Sequence, residues 1–308
     1  MFGLFSKKKA EASELPQLSA GLRTTMNTFL GVRGVPPLPA SAQRSFRLAI
    51  DPNASARDFI EAIESDEGIS ARIIKISNSV YFDRGVPSRN IEESVNKIGL
   101  NELRCILNAN SLPELLPSHN QFRSQIWIND LATAIISRSL ASTLAPAEGN
   151  TAFLAGLMHD VGKLLLLQRD DAEYLKAVQL IKSGEHDFCR AEEEIFAFNH
   201  CELGQLMAEK WNFTPDIIAA IREHHKSWKD LPQKKGSISL TAIVKLADLI
   251  AHSLGLGHGM GFGGFKNRCD AQIDDGFKAL GIPVNQKRSI IDRCIKAYEA
   301  DSDMYTFK

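Results

Sequence analysis

The residues of this chain that can do chemistry are imidazoles and carboxylates strung along its second half. His159 and Asp160 interrupt an otherwise apolar run, FLAGLMHDVGKLLLL, from Phe153 to Leu167. A buried His-Asp pair is costly unless it finds partners. Candidate partners follow: His200 in FNHCELGQLMAEKW, the pair His224-His225 closing IIAAIREHH, and Asp248 in IVKLADLIAH. Imidazole and carboxylate together suit borderline divalent metals such as zinc, manganese, iron or nickel. Two metal-bound oxygens at such a centre can activate water against a phosphate ester. Lys163, one turn beyond the pair, is placed either to meet a substrate phosphate or to pair with Asp160 along the helix.

Each residue also has a plainer reading. A single His near a helix end is more often a cap or a hydrogen-bonded structural group than a ligand. His225 at a helix C-terminus is favoured by the dipole when protonated. Asp248 beside Lys245 reads equally well as a solvated charge pair. His119, His186, His252 and His258 have no comparable setting and are set aside.

The elements that must position these groups are helices. Ile69, Ile73, Ile76 and Val80 recur at helical spacing, as do Leu203, Leu206, Met207 and Trp211, and Leu154, Leu157, Met158, Val161 and Leu165. DPNAS (Asp51 to Ser55) is a turn with cap candidates ahead of a run from Arg57 to Glu64. FTPDIIAAIREHH offers Thr214 as N-cap and Pro215 at the first helical position. No series of alternating strands appears, so the fold class is all-α. Breaks fall at GVRGVPPLPA (Gly31 to Ala40), at SLPELLPSHNQF (Ser111 to Phe122), and in the glycine-dense stretch from Gly255 to Phe265, read as a flexible loop. That stretch does not join a strand to a helix, as a phosphate-binding loop must. Beyond it a helix returns, with Ile291, Ile295 and Tyr298 near one face.

Composition narrows the function. Lys plus Arg is 36 and Asp plus Glu is 37 in 308 residues, a balance that gives no electrostatic case for a nucleic-acid or membrane partner. The five cysteines are scattered without a CxxC pair, which suggests a reducing compartment and argues against a thiolate zinc site. No apolar run approaches the roughly 20 residues that span a bilayer. The first residues, MFGLFSKKK, read as a solvated tail rather than a signal or a surface tether. The expected compartment is the cytoplasm.

The order His-Asp, His, His-His, Asp resembles the HD superfamily of helical metal-dependent phosphohydrolases. ESDEGISARIIKISNSVYF and IEESVNKIGLNELR look like the first lobe of the HDOD domain, the HD-related output domain of bacterial signalling proteins. IWINDLATAIISRSLA, FLAGLMHDVGKLLLL, EEEIFAFNHCELGQLMAEKWNFTPDIIAAIREHH and IVKLADLIAHSLGLG resemble the second. The resemblance covers about two-thirds of the chain, from near Pro36 to near Gly257. It implies a two-lobed helical HDOD/HD-like bundle, with a first lobe in 36–115 and an HD-like lobe in 116–257; a tail and short helix in 1–35 and a glycine-rich loop with C-terminal helices in 258–308 flank it. It implies signal transduction and no known reaction. HD-GYP relatives hydrolyse cyclic dinucleotides, but the GYP motif is missing here.

One departure matters. HD enzymes carry a His ahead of the His-Asp pair, and the matching position falls at about Asn129. An amide is a poor ligand in a site built on imidazoles. The expected function is therefore a regulatory or scaffolding protein with a degenerate HD site, whose partners are other signalling proteins, a homodimer included. Two alternatives stand beside it. In a metal-dependent phosphohydrolase, His159, Asp160 and Asp248 would hold one divalent transition metal and His200 and His224, or His225, a second. In a sensing module, a nucleotide would bind without being cleaved.

Overall fold

A computed structural model describes residues 17–51, 53–82, 84–184, 186–231, 238–257 and 262–305, with the backbone alone at 111–115 and 147. The MFGLFSKKK tail and His258 lie outside the described residues. Among those residues there are helices and turns and no strand, as the apolar spacing requires.

The first lobe follows its caps. After α1 (Ala20–Leu30) and α2 (Ala40–Ile50), Ser55 and Asp58 form a reciprocal capping box that starts α3 (Ala56–Glu64). Asp66 caps α4 (Glu67–Ser77) and Asn90 caps α5 (Ile91–Ile98). Helix α6 (Leu100–Leu115) then packs on α2. Two expectations are corrected here. Val80 does not extend the apolar face of α4; it is exposed, in a short 3-10 turn. The break expected from Ser111 begins only after Leu115, because α6 is held by Leu103, Ile106 and Leu107, all fully buried.

The second lobe is organised around α7 (Phe122–Leu144), which packs against α8 (Gly149–Met158). Next come α9 (Val161–Arg169), α10 (Asp171–Lys182), α11 (Phe188–Phe196), α12 (His200–Lys210) and α13 (Pro215–Glu223). Helix α14 (Leu240–Ser253) also lies on α7. Asn199 and Glu202 form the capping box of α12, and Pro215 opens α13. The loop expected through Phe265 is shorter, since α15 (Gly263–Ala279) already includes that residue. Helix α16 (Val284–Tyr305) packs on α7. It buries Ile290, Cys294 and Met304, and Ile291 and Tyr298 of the expected face pack partly buried against the same core, while Arg138 of α7 pairs with Asp301. One continuous apolar core runs through both lobes.

Candidate metal centre

The apolar run around His159 is not one helix. Helix α8 stops at Met158, and α9 starts at Val161. His159 and Asp160 form the corner between them, with Asp160 off helical geometry at φ −104°, ψ 15°. Leu157, Met158, Val161 and Leu165 are fully buried on both sides of the corner, so apolar burial pins the two polar residues in place. Gly162 lets the next layer close. A Cβ at that position would lie 2.0 Å from the carbonyl oxygen of His200, so only glycine allows α12 to start this near α9.

Onto this corner converge residues from five helices or their ends. His159 Nε2 lies 3.3 Å from Asp160 Oδ2 and 3.4 Å from Asp248 Oδ1. Asp160 Oδ1 lies 3.2 Å from His200 Nε2 and 3.6 Å from His224 Nε2. Lys163 Nζ donates to Asp160 Oδ2 at 2.5 Å. Outer contacts assign the ring tautomers, since a carbonyl or carboxylate can only accept. His159 Nδ1 donates to the Gly156 carbonyl at 2.7 Å, His200 Nδ1 to Glu192 Oε2 at 2.6 Å, and His224 Nδ1 to the Ile221 carbonyl at 3.0 Å. All three Nε2 atoms therefore face the carboxylates.

The electrostatics are those of a dense internal ion network. Burial alone would depress His159, but Asp160 and Asp248 outweigh it and hold the imidazole well above its ordinary range. Burial likewise works against the Asp160 carboxylate, and His159 and Lys163 overcome it, holding its pKa well below the ordinary value. Asp248 is held low against burial by His252 and His159. Asp130, 3.8 Å from His159 Nδ1, goes the other way: burial raises its pKa well above the carboxylate range.

The sequence-based candidates separate as follows. His159, Asp160, His200, His224 and Asp248 come together at one point; His225 is half-buried beside them, its ring centroid 4.1 Å from that of His224. Asp248 is not a solvated partner of Lys245. It is buried against His159, while Lys245 donates to the His224 carbonyl at 3.1 Å. Asn129 is buried on α7, with its amide nitrogen 3.3 Å from His252 Nδ1. His252, set aside in the sequence, thus belongs to the cluster, with Nε2 3.1 Å from Asp248 Oδ1. Its signal was its position four residues after Asp248, on the same helix face. Glu192 was also missed, because one Glu of the three in AEEEIF carries no mark of burial in the sequence.

The donor set fits a divalent metal. His159 Nε2, Asp160 Oδ1, His224 Nε2 and Asp248 Oδ1 are buried and have no hydrogen-bond partner. Buried polar atoms of this kind ordinarily find one. Each inward Nε2 can be satisfied in two ways, by a proton shared with a carboxylate or by a metal ion bound to both. His159, Asp160 and Asp248 would hold such an ion, with His224 and His200 beside it.

A sequence model of the HDOD domain matches residues 35–227. The chain belongs to the HDOD domain family. The match ends before Asp248, which the fold nevertheless delivers to the same point. An HDOD domain protein of unknown function from Geobacter sulfurreducens has a solved structure similar to this chain, at 23% identity and a TM-score of 0.69, covering 90% of this chain and 97% of that one. A candidate signal transduction protein from Marinobacter aquaeolei VT8 is 20% identical with a TM-score of 0.69, over 92% of this chain and 64% of its own. At these identities the likeness shows the HDOD fold. An uncharacterised protein of Treponema pallidum (strain Nichols) is 24% identical over 217 residues, 69% of this chain; the HDOD chain spans 42% of that relative's length. Among the described residues no helix is long and apolar enough to cross a membrane.

Proposed function

We propose that this HDOD protein is a regulatory module of signal transduction, and that its HD cluster is a closed structural centre rather than a hydrolytic one. The observation that carries this reading is the seal around the cluster. His159 and His200 are 0% exposed, Asp160 and His224 1%, and Lys163, Asp248 and His252 2%. A catalytic metal keeps an open position for water or substrate, whereas a structural one is enclosed by protein ligands. Lys163 also occupies one Asp160 oxygen, with its ammonium 3.9 Å from the centre of the Phe188 ring. The partners in this reading are other signalling proteins, to which a rigid two-lobed body is presented.

A second reading has its own support. The convergence of imidazole Nε2 atoms and carboxylate oxygens on one point is what a metal-dependent phosphohydrolase needs. A bound divalent ion would supply Lewis-acid polarisation of a phosphate oxygen. His159, Asp160 and Asp248 would hold that ion, and Lys163 would fix the Asp160 carboxylate.

The test uses the full chain purified without chelator, then assayed with added manganese or iron on a chromogenic phosphodiester and on cyclic dinucleotides. The regulatory reading expects no turnover, and expects Asp160→Ala and His159→Ala to lower thermal stability. Turnover that disappears in both variants while their helical signal persists would overturn it in favour of the hydrolase.

A further inference from the structure

A second set of ligand-type atoms lies beside the HD centre and differs from it in chemistry. Cys189 of α11, His200 and Cys201 at the start of α12, and His225 just past α13 bring one ligand atom each within 4.8 Å of one another. The two sulfurs are 4.0 Å apart, and Cys201 Sγ lies 3.3 Å from His200 Nε2. Around a tetrahedral zinc, with bonds of about 2.3 Å to sulfur and about 2.0 Å to nitrogen, ligand atoms sit roughly 3.3–3.8 Å apart. The observed separations need only small adjustments to meet that geometry.

Two features point to a ligand at this position. His225 Nε2 is buried and has no hydrogen-bond partner. His200 donates its Nδ1 proton to Glu192, the carboxylate–imidazole pairing that orients a metal-bound histidine.

We propose that Cys189, His200, Cys201 and His225 form a thiolate-containing zinc site. Two thiolates and two imidazoles select zinc and exclude hard cations such as magnesium and calcium. Four protein ligands close the coordination sphere, so the ion is structural: it fastens the start of α11 and the end of α13 to the start of α12. The proposal reverses the expectation drawn from the scattered cysteines, because positions 12 residues apart in sequence meet across a helix junction. It stands whether or not the HD centre turns over a substrate. His200 Nε2 is also 3.2 Å from Asp160 Oδ1, so the imidazole serves one ion at a time and links the two centres.

The experiment is elemental analysis and cobalt(II) substitution of the full chain purified under reducing conditions without chelator. The expected result is about one zinc per chain, retained in Asp248→Asn and lost in Cys189→Ser and Cys201→Ser. Cobalt should give thiolate-to-metal charge-transfer absorption and the intense visible bands of tetrahedral cobalt, both diminished in Cys189→Ser. Cys201 is buried and its variant can misfold, so the decision rests on half-buried Cys189, with circular dichroism confirming that helix content is kept. Cys189→His should retain the metal with weaker charge transfer. Absence of cobalt uptake by the wild type, cobalt spectra indifferent to Cys189→Ser, or a Cys189–Cys201 disulfide with no metal bound would each overturn the proposal.

Discussion

Lys163 Nζ sits 2.5 Å from Asp160 Oδ2, one turn along the same polypeptide, with both side chains sealed from solvent. The pair is a local helix contact carried into the core. Removing one partner of a buried ion pair leaves an uncompensated charge and costs about 3–5 kcal/mol. Lys163→Met should therefore lower the urea midpoint by a corresponding amount, read from the loss of helical signal. An unchanged unfolding curve would show that Asp160 is carried by the histidines alone.

Gly162 is required by the distance between two chain segments. A methyl group there would meet the His200 carbonyl oxygen at 2.0 Å, and a backbone oxygen at a helix start cannot swing away. Overpacking of this kind costs about 1–3 kcal/mol and sometimes more. Gly162→Ala should fall at the upper end and also displace His200 from Asp160. Gly204→Ala is the internal comparison: its closest neighbour is the Ile221 Cγ2 methyl at 2.7 Å, a side-chain atom that can give way. Thermal melts of the two variants should rank Gly162→Ala as the more damaging; the reverse order would contradict the close approach of α9 and α12.

Arg138 ties three helices together. It reaches Glu102 of α6 at 2.9 Å and Asp301 of α16 at 2.8 Å from its own position on α7. Hydrogen bonds to charged groups contribute about 1.5–3 kcal/mol each, less where solvent screens them. Arg138→Met should loosen α16 more than the rest of the fold, since this ion pair joins α16 to α7. Hydrogen exchange should show faster amides from Val284 to Tyr305 with little change in α12 and α13; uniform acceleration would mean that α16 is not separately anchored.

The capping box of α3 makes a pH prediction. The Ser55 side chain and backbone donate to Asp58, and these bonds hold its carboxyl below the usual range. A folded pKa below the unfolded value means that the contribution is present above the unfolded value and is lost as pH falls through the folded one. In Ser55→Ala the Asp58 titration followed by NMR should move up toward that of a free aspartate. A midpoint that stays put would assign the shift to the backbone amide instead.

What could be read from the residues in order was whatever depends on neighbours in order. Helix starts at Ser55 and Pro215 follow from capping and proline geometry within four residues. The run of motifs pointed to the HDOD family, and the His-Asp, His, His-His and Asp positions named most of the buried cluster. The face of α16 was legible in part: Ile291 and Tyr298 pack against the core, beside the buried Ile290 and Cys294, which the spacing did not pick out.

The tertiary structure decided everything that needed distant segments to meet. Whether Asp248 is a surface charge or a buried partner of His159 is invisible in IVKLADLIAH, because desolvation depends on what covers the helix. His252, Glu192 and the pair Cys189 and Cys201 gained their roles in the same way, by the packing of α11, α12 and α14 around one corner of chain. The sequence determined that the corner between α8 and α9 carries a histidine and an aspartate. Only the packing around it determined that they are sealed in, since burial is a property of neighbours in space and not of neighbours along the chain.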